Sequence, residues 1–284
     1  MAPEKIFRQL SRPLEPIPTG VQPQLLPLVG IRAVLFDVYG TLIISGCGDV
    51  GTSIEGQQAD ALLAALESLG ITLPCPAEEA IETLQETIAR HHAQLRATGI
   101  AYPEVNIIEV WRETCVELGG LKIDAARLAV EFEARANPTW PMPGLKLCLA
   151  GLVRRGMVTG LISNAQFFTP YLFPALLEKT LDELGFAPDL RYYSYEHRHA
   201  KPSDWMYRLA SKRLASQGIH PTEVLYIGND MRNDVLPATQ VGFRTALFAG
   251  DTRSLRQREG DPLLEKIQPD AIILDLLHIL DLIQ

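Results

Sequence analysis

A chain of 284 residues, 47% hydrophobic and 21% charged, has the composition of an ordinary globular protein and the length for one large domain or two modest ones. Its formal net charge of −8 offers no concentrated positive face, which argues against nucleic acid or an anionic membrane as a partner. The apolar runs Ala271 to Leu274 and Ile279 to Ile283 are interrupted by Asp275, His278 and Asp281 and fall well short of the roughly 20 residues of a membrane span, and no apolar secretory block opens the chain, so a cytoplasmic protein is expected.

Residues 1 to 30 are rich in proline and carry no sustained period, so they read as an extended N-terminal arm. Ala33-Val34-Leu35-Phe36 is then a continuous apolar run ending at Asp37, the pattern of a buried parallel strand entering a loop. Apolar residues next recur at three-and-four spacing in Ala59 to Leu69, Ala80 to Leu95, Ile107 to Leu118 and Ala125 to Phe132, with Pro74, Pro76, Pro103 and Gly119-Gly120 as breaks. That pattern predicts a helical insertion over residues 46–140. Beyond Pro141 the reading is helix Leu145 to Arg154, strand Val158 to Ser163, helix Pro170 to Leu184, and a strand around Arg191 to Ser194. Helix Ser203 to Gln217, strand Val224 to Ile227, helix Asp234 to Gln240, strands Arg244 to Phe248 and Ala271 to Leu274, and a closing helix follow. Strands separated by helices of this length need crossover connections. The fold class expected is therefore α/β, a doubly wound parallel sheet built from residues 31–45 and 141–284, with the helical insertion between them.

Ligands of open parallel sheets sit beyond the carboxyl ends of the strands. Polar residues occupy four such places here: Asp37-Val38-Tyr39-Gly40-Thr41, Ser163-Asn164, Lys201-Pro202, and Gly228-Asn229-Asp230 with Asp234 close behind. Taken singly, each has a plainer reading as a helix cap, a turn or a surface lysine; it is their joint occurrence that points to a site. The segment Phe36-Asp37-Val38-Tyr39-Gly40-Thr41-Leu42 resembles the first motif of the haloacid dehalogenase superfamily, and the other three places match its remaining motifs in order. The resemblance, over residues 31 to about 250, implies a Rossmann-like core, the inserted helices as its cap, and a hydrolase with Asp37 as nucleophile.

The chemistry can also be argued from the residues. A carboxylate held beside a cation can attack an electrophilic carbon or phosphorus and form a covalent intermediate. Asp37 is placed for that, with Lys201 as the fixed positive charge; the Ser163 hydroxyl and the backbone of Asn164 can bind oxygens where charge develops. Asp37, Lys201 and Ser163 are the candidate catalytic residues, and Tyr39, Thr41, Ser163, Asn164 and Lys201 the candidate contacts to a small anionic substrate. For Thr41 two readings stay open, a substrate contact or a tie within the loop. Asp37 and Asp230 with the Tyr39 carbonyl form a hard oxygen set that suits Mg²⁺, and matching positions of the family bind that metal. Asp234 and Asn229 would support these groups from behind.

Two features pull apart. Phosphatases of the superfamily carry an acid–base Asp where this chain has Tyr39, and a phenol with a pKa of about 10 cannot replace it as a base at neutral pH; losing that help costs on the order of 10²- to 10⁴-fold. Asp-x-Tyr-Gly-Thr is instead similar to the 2-haloacid dehalogenases, whose halide leaves without a proton and without metal. Asn229-Asp230 with Asp234 looks like the metal-binding phosphatase form. Three carboxylates against one lysine would repel an anionic substrate, and this count favours a Mg²⁺-dependent phosphohydrolase or phosphoryl transferase acting on a small phosphorylated metabolite. A metal-independent 2-haloacid dehalogenase is the alternative, and a non-catalytic ligand-binding scaffold a third reading. Arg90, Arg96 and Arg112 in the insertion are candidates to meet a substrate anion, with solvated or ion-paired side chains as the plainer reading. A homodimer stays open.

Overall fold

The computed structural model describes residues 1–47 and 55–283, with Glu55 and Gly56 by backbone alone. The N-terminal arm departs from expectation at its start, where α1 (Pro3–Leu10) is a helix. Proline at its beginning loses no helical hydrogen bond, and Glu4 and Arg8 stand at the ends whose partial charges they complement. Two turns are too short to show a sustained period, which is why the sequence hides them. Ile6 and Phe7 are buried, Phe7 against Phe168, and the Arg8 guanidinium donates to the carbonyls of Pro174 and Ala175. From Ser11 the arm is irregular and largely extended, and Gln24 exchanges backbone hydrogen bonds of 2.9 and 3.1 Å with Ile272, covering what would be an open sheet edge.

The core opens with β1 (Ala33–Phe36), whose four residues are all buried because both faces are covered: Val34 and Phe36 join one hydrophobic cluster, Ala33 and Leu35 the other. A short strand β2 (Ile43–Ser45) leads into the insertion, formed by α2 (Glu55–Ser68), α3 (Ala77–Ala97), α4 (Ile107–Glu117) and α5 (Ala125–Ala136). These helices close around a core of their own that includes Leu62, Leu84, Val110, Trp111 and Leu128. β3 (Thr139–Pro141) pairs antiparallel with β2 and brings the chain back beside its point of departure. Three residues per strand are too few for alternation to announce this ribbon.

The chain continues through α6 (Leu145–Arg154), β4 (Val158–Ser163), α7 (Leu172–Leu177), β5 (Phe186–Tyr193), α8 (Ser194–His197) and α9 (Trp205–Ala215). It ends with β6 (Val224–Gly228), α10 (Leu236–Gln240), β7 (Arg244–Phe248), β8 (Ala271–Ile273) and α11 (His278–Leu282). The six-stranded sheet has the order β5-β4-β1-β6-β7-β8, parallel throughout, with helices on both faces. Two of the helices differ from expectation. The helix read to Leu184 stops at Leu177, where Glu178 turns into the left-handed region at φ 59°. The helix read from Asp234 starts as a wider turn over Met231–Val235, capped by Asp230. No helix among the described residues is long and apolar enough to cross a membrane.

Candidate active site

The carboxyl ends of β1, β4 and β6 deliver Asp37, Asn164 and Asn229-Asp230 to one place, and the loop between α8 and α9 adds Lys201. The Lys201 ammonium lies between two carboxylates, donating to Asp37 Oδ1 at 2.7 Å and Asp234 Oδ1 at 2.6 Å. All three residues are buried, at 6% or less exposed. Burial alone would lower the lysine pKa, but Asp234 and Asp37 together outweigh it and hold the ammonium above the usual lysine range. For Asp234 the balance goes the other way: burial, opposed by Lys201, pushes its pKa up to about 6. The Tyr226 hydroxyl stands 3.0 Å from Asp234 Oδ1, and Asp234 Oδ2 accepts the backbone N–H of Asp230 at 3.0 Å. Only glycine fits at 228, where a Cβ would lie 2.2 Å from Asp234 Cγ.

Asn164 fixes the lysine loop: its Oδ1 accepts the Lys201 backbone N–H at 2.7 Å. The loop after β1 is tied to the loop after β6. Thr41 donates to Asn229 Oδ1 at 3.1 Å, Asn229 Nδ2 to the Ser254 carbonyl at 2.6 Å, and Ser254 Oγ to the Gly40 carbonyl at 3.3 Å. Gly40 has φ 76° and no room for a Cβ, which would sit 2.4 Å from that of Ser254. Of the two readings of Thr41, the tie within the loop is the one its geometry supports.

A cavity of about 240 Å³ opens beside these groups, and Asp37, Tyr39, Asn164, Lys201, Asn229, Asp230 and Asp234 stand on its wall. Ser163 and Thr41 do not: both are fully buried behind it. Ser163 is still a strand residue, paired in register with Tyr193, and among the described residues its hydroxyl has only the Asn164 carbonyl at 3.5 Å; the expectation that it faces the substrate is not met. The Tyr39 hydroxyl is 3.0 Å from Thr169 Oγ1, and burial, reinforced by Glu133, raises its pKa well above the tyrosine value, so it stays protonated.

The wall also holds Glu104 and Gln166, which the sequence reading missed. Glu104 lies between α3 and α4 and reaches back to the core, accepting from Ser194 Oγ at 2.7 Å and, within its own loop, from Val105 N–H at 3.0 Å, while its backbone N–H donates to the Arg198 carbonyl at 3.0 Å. Burial raises its pKa. Gln166 joins the same parts, accepting from Ile107 N–H and donating to the Val105 carbonyl, both at 3.0 Å. A carboxylate in an inter-helix loop looks like any surface glutamate; the one local signal is Pro103, which ends helix and turns the chain. Arg90, by contrast, pairs with Glu113 and Glu117 on the surface of the insertion, away from both loops.

The charge count changes at Asp230. Its Oδ1 accepts the backbone N–H groups of Arg232 and Asn233 at 2.8 and 3.2 Å, capping the turn. Arg258, from the segment after β7, grips the same carboxylate with Nε 3.3 Å from Oδ1 and Nη2 2.6 Å from Oδ2. Two cations therefore face three carboxylates, and burial biases one of these, Asp234, toward its protonated form. The repulsion that favoured a metal is largely relieved by a residue 28 positions away from its partner. One carboxylate of the expected Mg²⁺ set, that of Asp230, is already paired with Arg258. The residues as placed do not fit Mg²⁺ at Asp37, Tyr39 and Asp230.

The model of the haloacid dehalogenase-like hydrolases matches residues 31–242. The chain belongs to this family of hydrolases. Its fold is similar to that of a 2-haloacid dehalogenase from Pseudomonas syringae pv. Tomato DC3000, with a TM-score of 0.56 and 16% identity over 88% of this chain and 96% of that one. It is also similar to a HAD phosphatase from Thermococcus onnurineus, with a TM-score of 0.51 and 18% identity over 88% and 96% of the two chains. No curated protein matches. At such identities the likeness is one of fold, and it spans both chemistries.

Proposed function

We propose that this haloacid dehalogenase-like hydrolase acts at carbon, displacing halide from a small 2-halo carboxylate without a divalent metal. The observation that carries the reading is the grip of Arg258 on Asp230, which supplies by a side chain the positive charge a metal would bring. An Asp37 oxygen attacks the carbon bearing the halogen; the C–O bond forms as the C–halogen bond breaks, and halide leaves with the electron pair. Halide needs no proton, so a Tyr39 phenol in place of an acid is no handicap. Water then opens the aspartyl ester at its carbonyl, releasing the hydroxy acid and a proton and regenerating Asp37. Lys201 balances the charge of the Asp37 carboxylate in the first step and the charge that develops on the ester oxygen in the second, and the base for the water falls to a wall carboxylate, Glu104 or Asp234.

A second reading, Mg²⁺-dependent phosphohydrolase, is favoured by Glu104, whose raised pKa suits a proton donor to a leaving alcohol. It requires Arg258 to release Asp230. The test compares wild type and Asp37→Asn on 2-chloropropionate, acetyl phosphate and a panel of phosphate esters, with Mg²⁺ or EDTA. Chloride release unchanged by EDTA and reduced about 10³-fold or more in Asp37→Asn is expected. Phosphate release that needs Mg²⁺ replaces the first reading with the second; neither product above background leaves a binding scaffold.

A further inference from the structure

Under the insertion lies a second cavity of about 280 Å³. It adjoins the first, since Glu104 and Gln166 stand on the walls of both. Leu84, Ile88, Trp111 and Phe132 make much of its wall apolar, and among the described residues no lysine or arginine lines it. The titratable groups on this wall are Glu104, Glu133 and His92, with Tyr39 close to Glu133. His92 is biased toward its neutral form by burial, with Arg96 and His91 adding to the effect. Glu133 is held in place by a chain of hydrogen bonds: Ser45 donates to Asn137 Oδ1 at 2.8 Å, and Asn137 Nδ2 donates to Glu133 Oε1 at 3.0 Å. Its Oε2 accepts no hydrogen bond among the described residues. An acceptor fixed on the cavity wall without a protein partner is a place where a ligand's donor can bind.

We infer that this chamber receives the organic body of the substrate, and that the body is apolar and carries an amine that pairs with Glu133. The inference rests on the Asp37 cavity being where the reaction takes place. Two carboxyl groups with no lysine or arginine on the wall among the described residues repel an anionic tail, and a neutral hydroxyl or amide donates to Oε2 without offsetting its charge; an ammonium supplies both the charge and the N–H donors. A dry cavity of about 150 Å³ accepts benzene, so a chamber of this size takes an aromatic ring with a short chain. The substrate thus has two ends, an anionic head at Lys201 and an amine-bearing apolar body at Glu133.

Calorimetric titration of the full chain at pH 8 with 2-phenylethylamine, 2-phenylethanol and phenylacetate tests this, with thermal melting to verify that each variant folds. The amine should bind about tenfold tighter than either competitor, and Glu133→Gln, which keeps the side chain's shape, should abolish that preference. Ala129→Phe, which fills the chamber from α5, should weaken all three. Phenylacetate binding as tightly as the amine, a preference that survives Glu133→Gln, or no binding of any probe would overturn the inference. Binding needs no turnover, so the two readings fail separately. An amine preference without product release removes the proposed reaction alone; product release without the preference removes the chamber assignment alone.

Discussion

Around Asp37 the three aspartates each have a cation against them: Lys201 serves Asp37 and Asp234, and Arg258 serves Asp230. In the chamber under the insertion the buried acid Glu133 accepts, among the described residues, only the amide of Asn137. The first arrangement is complete without a ligand, so its geometry is set before substrate arrives, as electrostatic preorganisation requires. The second is incomplete, and the deficit appears as a carboxyl pushed up to about pKa 7 by burial. One region holds its charges fixed for chemistry; the other keeps an acceptor free for recognition.

The largest expected effect comes from breaking the complete network. Lys201→Met leaves Asp37 and Asp234 buried without their cation, and removing one partner of a buried ion pair costs about 3–5 kcal/mol. Asp234 can relieve the loss by taking a proton, so urea denaturation should show the variant closer to wild type at pH 5 than at pH 8. A loss below about 1 kcal/mol at pH 8 would mean that solvent, not the lysine, balances these carboxylates.

Glu133 gives the next effect, with the opposite dependence on sequence chemistry. Its pKa in the folded chain, about 7, exceeds the ordinary 4.5, so between these values the folded chain holds a proton that the unfolded chain has released. The stability this lends is complete below pH 4.5 and is lost as pH rises through 7, on the order of 3 kcal/mol in all. The wild type should therefore lose stability relative to Glu133→Gln between pH 5 and pH 8, measured as the difference of their urea midpoints. Parallel curves would show Glu133 to be solvated and the contrast between the cavities to be false.

The complete network was partly legible in the sequence, the incomplete one hardly at all. β1, β4, β6 and β7 are buried on both faces and so read as continuous apolar runs, and Asp37 and Asn164, just after β1 and β4, are bonded to Lys201. The insertion helices carry one apolar stripe each and show it by period. β5 begins earlier than the sequence suggests because Pro188 and Asp189 are exposed and break the apolar run. The direction of the Ser163 side chain, the return of Glu104 onto the core and the pairing of Arg258 with Asp230 depend on tertiary placement that no local pattern encodes. Glu133 hides for a related reason: in α5 it stands among Glu131, Arg127 and Arg135, where any acid reads as a solvated helix face.

Arg258 gives the smallest change in stability and the sharpest test of the charge count. Its side chain is 38% exposed, so the pair with Asp230 is partly screened, and Arg258→Gln should cost about 1 kcal/mol or less. The effect on ions should be qualitative. Without the guanidinium, Asp230 becomes a free oxygen donor beside Asp37, and the site gains a negative charge that only a cation can offset. Mg²⁺ should then raise the melting temperature of the variant while leaving wild type unchanged, and chloride release by the variant should fall and be partly restored by Mg²⁺. If wild type and variant respond to Mg²⁺ alike, Arg258 does not stand in for the metal, Asp230 is open to it in the native protein, and the phosphohydrolase reading gains what the dehalogenase reading loses.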